Sequence, residues 1–414
     1  MPRLPDPDQI YRHARVPGRV ELVDLVIREG MISAVTPSTD PDGTTLGEGA
    51  TDLAGALVVP GLVEAHIHLE KAFLLDRLPR DATSLSDAIA MTAALKGGFS
   101  RADIRQRALR LIRTSVEYGV TALRAHVEVD DTLALLAIET VLELREELRG
   151  VLDVQVVAFP QEGLTSQRNA VALLGQAVDL GVDAVGGIPY ADESAAAHLD
   201  LVFAAAERSG LPIDLHIDLS DDPSQLDIIL AAERTVAAGM QGRVTVGHLT
   251  SLGSAAPDRA REVADLIAHA GISVVALPAT DAFLNGRDDD RAPRRGLTPV
   301  RILLDAGVNV AVATNNVQNA FTPFGRGRVL DAALLLANLC HFGSAADASL
   351  VVGMVSGRAA QAIGLRGHGL LPGCRADFAA FPAKDVRDLL GSADRPTQVV
   401  KAGRPVSAES VVAA

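Results

Sequence analysis

VVPGLVEAHIHLEKAF, residues 58–73, reads as a buried strand that delivers two histidines to its end. Residues i and i+2 of a strand face the same side, so His66 and His68 point at one place. Two imidazoles there suit either a shared metal ion or ordinary packing and hydrogen bonding within a strand. The chain holds ten histidines in 414 residues, which gives roughly a quarter of an H-x-H pair by chance, so the pair alone does not decide. The positions of the other histidines carry more weight.

Seven further apolar runs follow the first, near residues 120–129, 152–160, 182–188, 211–219, 243–249, 272–278 and 308–314. Helical patterns lie between them. DTLALLAIETVLELREEL and ADLIAHAG, for example, place apolar residues three and four apart. Alternating strand and helix predicts a parallel sheet, and eight units favour a closed (β/α)₈ (TIM) barrel over an open doubly wound sheet. His126 ends the second run, His216 the fifth and His248 the sixth. The C-terminal strand ends of such a barrel meet at one face, where active sites sit. His13, His198, His269, His341 and His368 follow no such rule and carry no assigned role.

Outside this rhythm the pattern is different. VELVDLVIREGMISAVTP, residues 20–37, alternates around Glu29-Gly30 and predicts a β-hairpin. LLPGCRADFAAFPA and TQVVKAGRPV, beyond residue 365, predict short strands separated by turns. An isolated hairpin is only marginally stable, so both chain ends are expected to join in one small β-sandwich domain. The expected division is 1–57 with 366–414 for that domain, and 58–365 for the barrel.

A net charge of −14 argues against nucleic acid and anionic membrane as partners, because both need a basic surface. No apolar run is long enough to span a membrane. The N-terminal residues lack the apolar core of a signal peptide. Cys340 and Cys374 are the only cysteines, with neither metal-type spacing nor a disulfide framework. A reducing cytoplasm is the expected location.

Five segments in this order resemble the amidohydrolase superfamily: VVPGLVEAHIHLEKAF, FPQEG (159–163), DLHIDLSDD (214–222), VGHLTSL (246–252) and VAVATNNVQNAFTPFG (310–325). The chain looks like the cytosine deaminase branch, which includes the N-isopropylammelide hydrolases. The resemblance covers almost the whole chain. It implies an enzyme that hydrolyses a C–N bond of a cyclic amide, amidine or other nitrogen heterocycle. The implied cofactor is one divalent ion, zinc, iron or manganese, and the implied partner is a small heterocyclic substrate. Self-association is also compatible with the family.

By this resemblance His66, His68 and His216 are metal ligands. Three neutral imidazoles leave a coordination position open for a water, which such an ion acidifies. His248 would move protons, as an imidazole can near neutral pH. Gln161 would read the ring's amide edge with one acceptor and two donors. Asn316 and His126 are candidate pocket residues, and His126 with Glu128 lies on one face of the second strand. A purely structural role suits that pair equally. Glu70 and Lys71 are read as a local ion pair rather than as substrate contacts.

Two positions depart from the family pattern. An aspartate normally ends the eighth strand as metal ligand and base; here Asn315 stands there, within Thr314-Asn315-Asn316-Val317. An amide oxygen still serves as a ligand, but it is neutral and a very poor base. Cytosine deaminases also place a glutamate three residues after the third metal histidine; here that residue is Leu219. Asp218, two residues after His216, is the candidate replacement base, with Asp221 and Asp222 beyond it. The missing carboxylates leave two other readings open: a metal-assisted lyase, hydratase or isomerase, or a non-catalytic binding protein.

Overall fold

Pro60-Gly61 splits the first apolar run between two different sheets. The computed structural model describes residues 9–38 and 49–413; residues 1–8, included in the signal-peptide reading, lie outside that range. Before the split come β1 (Gln9–Ala14), β2 (Val23–Arg28), β3 (Met31–Pro37), β4 (Ala50–Asp52) and β5 (Leu57–Pro60). After it come the barrel strands: β6 (Leu62–Ile67), β7 (Val120–Glu128), β8 (Asp153–Phe159), β9 (Ala184–Gly187), β10 (Ile213–Ile217), β11 (Val244–His248), β12 (Ser273–Ala276) and β13 (Val310–Val312). The C-terminal region adds β14 (Phe378–Phe381), β15 (Gln398–Lys401) and β16 (Arg404–Val406).

Strands β6 to β13 lie side by side in sequence order, all parallel. Helices such as 101–117, 195–209 and 257–269 cover the sheet. The two edges meet where Ile67 bridges Asn315. There Asn315 N donates to His66 O at 3.0 Å and His68 N donates to Asn315 O at 3.1 Å. Glu64 braces the same seam, accepting from Thr314 Oγ1 at 2.6 Å. The expected (β/α)₈ barrel is therefore observed, and its closure brings Asn315 beside the two histidines of β6. Val, Leu, Ile and Ala from strands and helices form one continuous buried core, as a sheet covered on its outer face requires.

The chain ends do form the expected small β domain. One sheet has the order β3-β2-β1-β4 and the other β16-β15-β14-β5. Tyr11, Leu25, Ile27, Val58, Phe378 and Val400 share the core between them. The Glu29-Gly30 turn carries positive φ at both residues, 51° and 76°, as a two-residue hairpin turn of this hand needs. β1 was not visible in the sequence, because QIYRHA interrupts apolar alternation with Arg12 and a buried His13. β5 pairs antiparallel with β14, so Leu57–Pro60 join the sheet of the C-terminal strands. Gly61 follows because a Cβ there would sit 2.1 Å from Thr121 Oγ1.

Candidate active site

His66, His68 and His216 converge at the closed end of a pocket in the barrel mouth. Nε2 of His216 lies 3.0 Å from Nε2 of His66 and 3.1 Å from Nε2 of His68. All three rings are buried, and desolvation together with positive neighbours holds each well below the usual imidazole range. They are therefore neutral. Nδ1 of His68 lies 2.9 Å from His126 O; a carbonyl only accepts, so the proton is assigned to Nδ1 and the Nε2 lone pair faces its neighbours. Nδ1 of His66 and of His216 meets no partner; with their protons also on Nδ1, the three Nε2 atoms would fit a divalent cation. Gly247 on β11 makes room, since a Cβ would press 2.9 Å from His66 Cε1.

Ligand nitrogens of His66, His126 and His216 also lie within 4.8 Å of one another. The 3.1 Å approach of His68 Nε2 to His216 Nε2, against the contact of His126 Nε2 with Asp214, favours His68. His126 stacks on His66 with centroids 3.8 Å apart, and its Nε2 sits 3.1 Å from Asp214 Oδ1. His126 is fully buried and is not among the residues that line the pocket.

The pocket is small, a cavity of about 20 Å³. His68, His216, His248, Gln161, Asn315 and Asn316 all line it. Leu85, Leu219 and Phe321 form its apolar side, with Lys71, Tyr190 and Thr280 completing the wall. Leu219 packs in a small apolar cluster with Leu284, Ala320 and Phe321, and Leu85 leans on it.

Asp218 is not in this wall. β10 ends at Ile217, and Asp218 has φ 54°, so strand alternation fails at the residue where the same-face argument needed it. Its carboxylate accepts instead from Asp227 N at 2.8 Å and Ile228 N at 3.2 Å, at the start of helix 228–237. Burial pushes its pKa up to about 8.

Asp281 is the buried carboxylate that sequence reasoning missed. Its Oδ1 lies 2.6 Å from His248 Nδ1. An ionised carboxylate fixes the proton on Nδ1, which leaves Nε2 of His248 as the acceptor. Asp281 sits one turn into helix 278–284, just after β12. Its place beyond a barrel strand end was the available signal.

Lys71 is the second surprise. It does not pair with Glu70; its Nζ donates to Glu128 Oε1 at 2.8 Å and to Gln161 Oε1 at 2.8 Å. Lys96 holds the other oxygen of Glu128 at 2.6 Å and also Asp130 at 2.6 Å. The two ammonium groups pull the Glu128 carboxyl down to about 2 against its burial. Glu70 stays buried without a hydrogen bond to either oxygen, and desolvation, then Glu128, pushes it up to about 7.

Backbone groups fix the amides on the opposite side. Asn319 Oδ1 accepts from Phe321 N at 3.0 Å and Thr322 N at 3.2 Å. Its Nδ2 must then donate, and it does so to Asn316 Oδ1 at 2.8 Å. Asn316 Nδ2 in turn donates to Asn315 Oδ1 at 3.0 Å. Asn315 itself adopts φ 62°, a conformation asparagine tolerates better than most residues.

A family model described as "Amidohydrolase family" matches residues 49–407. N-isopropylammelide isopropyl amidohydrolase of Pseudomonas sp. (strain ADP) is 28% identical over 99% of this chain and 99% of its own. Pterin deaminase of Rhizobium rhizogenes (strain K84 / ATCC BAA-868) is 31% identical over 73% of this chain and 69% of its own. The crystal structure of 5-methylcytosine deaminase from Klebsiella pneumoniae liganded with 5-fluorocytosine superposes with a TM-score of 0.91 at 29% identity, covering 96% of this chain and 97% of that one.

Proposed function

The chain belongs to the amidohydrolase family, and from that premise we propose how its pocket hydrolyses a cyclic amide, amidine or related nitrogen heterocycle. It is a metal-dependent hydrolase of carbon–nitrogen bonds. The observation that carries the reading is the approach of His66 Nε2 and His68 Nε2 to within 3.0 and 3.1 Å of His216 Nε2, beside a His248–Asp281 pair. His66, His68 and His216 would hold one divalent ion, zinc, iron or manganese, with the Asn315 amide oxygen as a weak fourth ligand. When bound, the ion would polarise the scissile group and make water nucleophilic at neutral pH.

The remaining roles belong to side chains. His248 Nε2 takes a proton from the attacking water and returns it to the leaving nitrogen, while Asp281 steadies the imidazolium that forms in between. Gln161 and Asn316 orient the ring. Leu85, Leu219 and Phe321 pack its face and keep bulk water out. Asp218 takes no part. In this reading the barrel does the chemistry, and among the described residues the terminal β domain contributes none to the pocket wall. Two free thiols, Cys340 and Cys374, favour a reducing cytoplasm. Among the described residues no helix is long and apolar enough to cross a membrane.

Elemental analysis tests the reading first. About one divalent ion per chain is expected, lost in His66→Ala, and an absence of ion under every loading condition sinks the proposal. Asn315→Asp restores a charge beside the histidines and should slow ion loss to a chelator about tenfold. The lack of a carboxylate at 315 and 219 also favours a second reading, a metal-assisted lyase, hydratase or isomerase. Product mass separates the two: deamination adds about 1 Da, ring opening or hydration about 18 Da, and isomerisation nothing.

A further inference from the structure

The orientation of Gln161 is decided by Lys71. An ammonium group has three donors and no acceptor. Because Lys71 Nζ sits 2.8 Å from one terminal atom of Gln161, that atom is the oxygen, and the NH₂ group is the end left for a ligand. The assignment is chemical and does not depend on resolving oxygen from nitrogen. Glu128 and Phe321 keep Lys71 in place, through the 2.8 Å ion pair and a cation–π contact at 5.0 Å. The backbone relay through Asn319 fixes Asn316 in the same sense, with its NH₂ toward Asn315 and its oxygen already bound. No carboxylate lines the pocket among the described residues, while one ammonium does.

Resting on the hydrolase reading, we infer that the substrate of this pocket is an acceptor-edged, anionic ring: an ionised cyclic imide or ureide whose oxo groups face Lys71 and Gln161. A neutral ring carries a donor next to its C2 oxo group, at N1 and N3 in uracil and at N1 in cytosine, whose N3 is an acceptor. Set against Gln161 NH₂ and Lys71 NH₃⁺, such a donor loses its partner, and leaving it buried and unpaired lowers affinity about tenfold or more. An anionic edge gains charge-assisted bonds from the same two groups. Leu219 and Leu85 belong to this logic, because an apolar wall opposite adds no competing negative charge.

The test compares ligands of one size in the metal-loaded enzyme. Barbiturate is a monoanion at neutral pH with two oxo groups flanking a C–H; uracil and cytosine are neutral. Calorimetry should give barbiturate an affinity at least about tenfold above either. Lys71→Met frees the Gln161 amide to turn and should bring the three ligands near parity. Gln161→Glu, which leaves Lys71 paired, should lose barbiturate about tenfold or more; it decides the matter if Lys71→Met does not fold. Cytosine or uracil binding as tightly as barbiturate to the wild type overturns the inference. A preference for barbiturate that survives both variants also overturns it. Hydrolysis is scored separately: barbiturate preference without turnover of any heterocycle would fault the hydrolase reading alone, and turnover of neutral amidines without that preference would fault the inference alone.

Discussion

The two sides of the pocket are built by different means. On the metal side, His66 and His216 lie within barrel strands and His68 and His248 at or just past strand ends, so barrel closure brings them together. On the ligand side, Lys71, Gln161, Asn315 and Asn316 come from loops, and side-chain relays set their orientation. Asn315 belongs to both sides: its backbone closes the barrel seam beside His66 and His68, while its side chain ends the amide relay from Asn319. A (β/α)₈ barrel is suited to this division, since its loops vary independently of its strands.

The largest effect should come from the metal side. His216→Ala removes the nitrogen that both other Nε2 atoms approach. It should lose the bound ion and lower kcat/KM by about 10³-fold or more. Elemental analysis beside steady-state rates checks this. An enzyme that keeps its ion and its rate without His216 would break the comparison at its base.

A smaller effect should come from the group that links the two sides. In Asp281→Asn, the amide can offer either end to His248 Nδ1, so Nε2 is no longer held as an acceptor. The expected result is a fall in kcat of about 10²-fold with full metal content and a nearly unchanged KM. A matching loss of metal would instead place Asp281 among the groups that hold the ion cluster together.

How much of this was legible in the sequence follows the same divide. The barrel and four of its histidines could be read because apolar runs alternate with helical patterns and these histidines fall near the ends of those runs. The seam that puts Asn315 beside His66 follows once eight strands are counted and closed. Lys71 and Gln161 are 90 positions apart and Asp281 is 33 from His248; no periodicity connects such pairs, only the closed barrel does. Asp218 shows the limit from the other side. It had the right spacing from His216, but a left-handed backbone turns its carboxylate to a helix start. At Pro60-Gly61 composition was continuous while pairing was not, because a proline without an N–H and a glycine tight against Thr121 let the chain change sheets.

The smallest effect sharpens the reading of the ligand side. Leu219 is 6% exposed and packs with Leu284, Ala320 and Phe321. In Leu219→Glu a carboxyl replaces those contacts with no donor ready among them, so unfolding should become easier by about 1–3 kcal/mol. Leu219→Met keeps the volume and polarity and should stay within about 1.5 kcal/mol of wild type. Thermal melts of both variants measure this. The Glu variant also asks what kind of wall Leu219 belongs to. If it loses stability and gains no turnover of neutral amidines, the wall is packed for a ligand that brings its own charge. If it melts like wild type and deaminates cytosine, the site around it still accommodates an acid–base group, and the leucine is a lapsed catalytic position rather than part of the recognition surface.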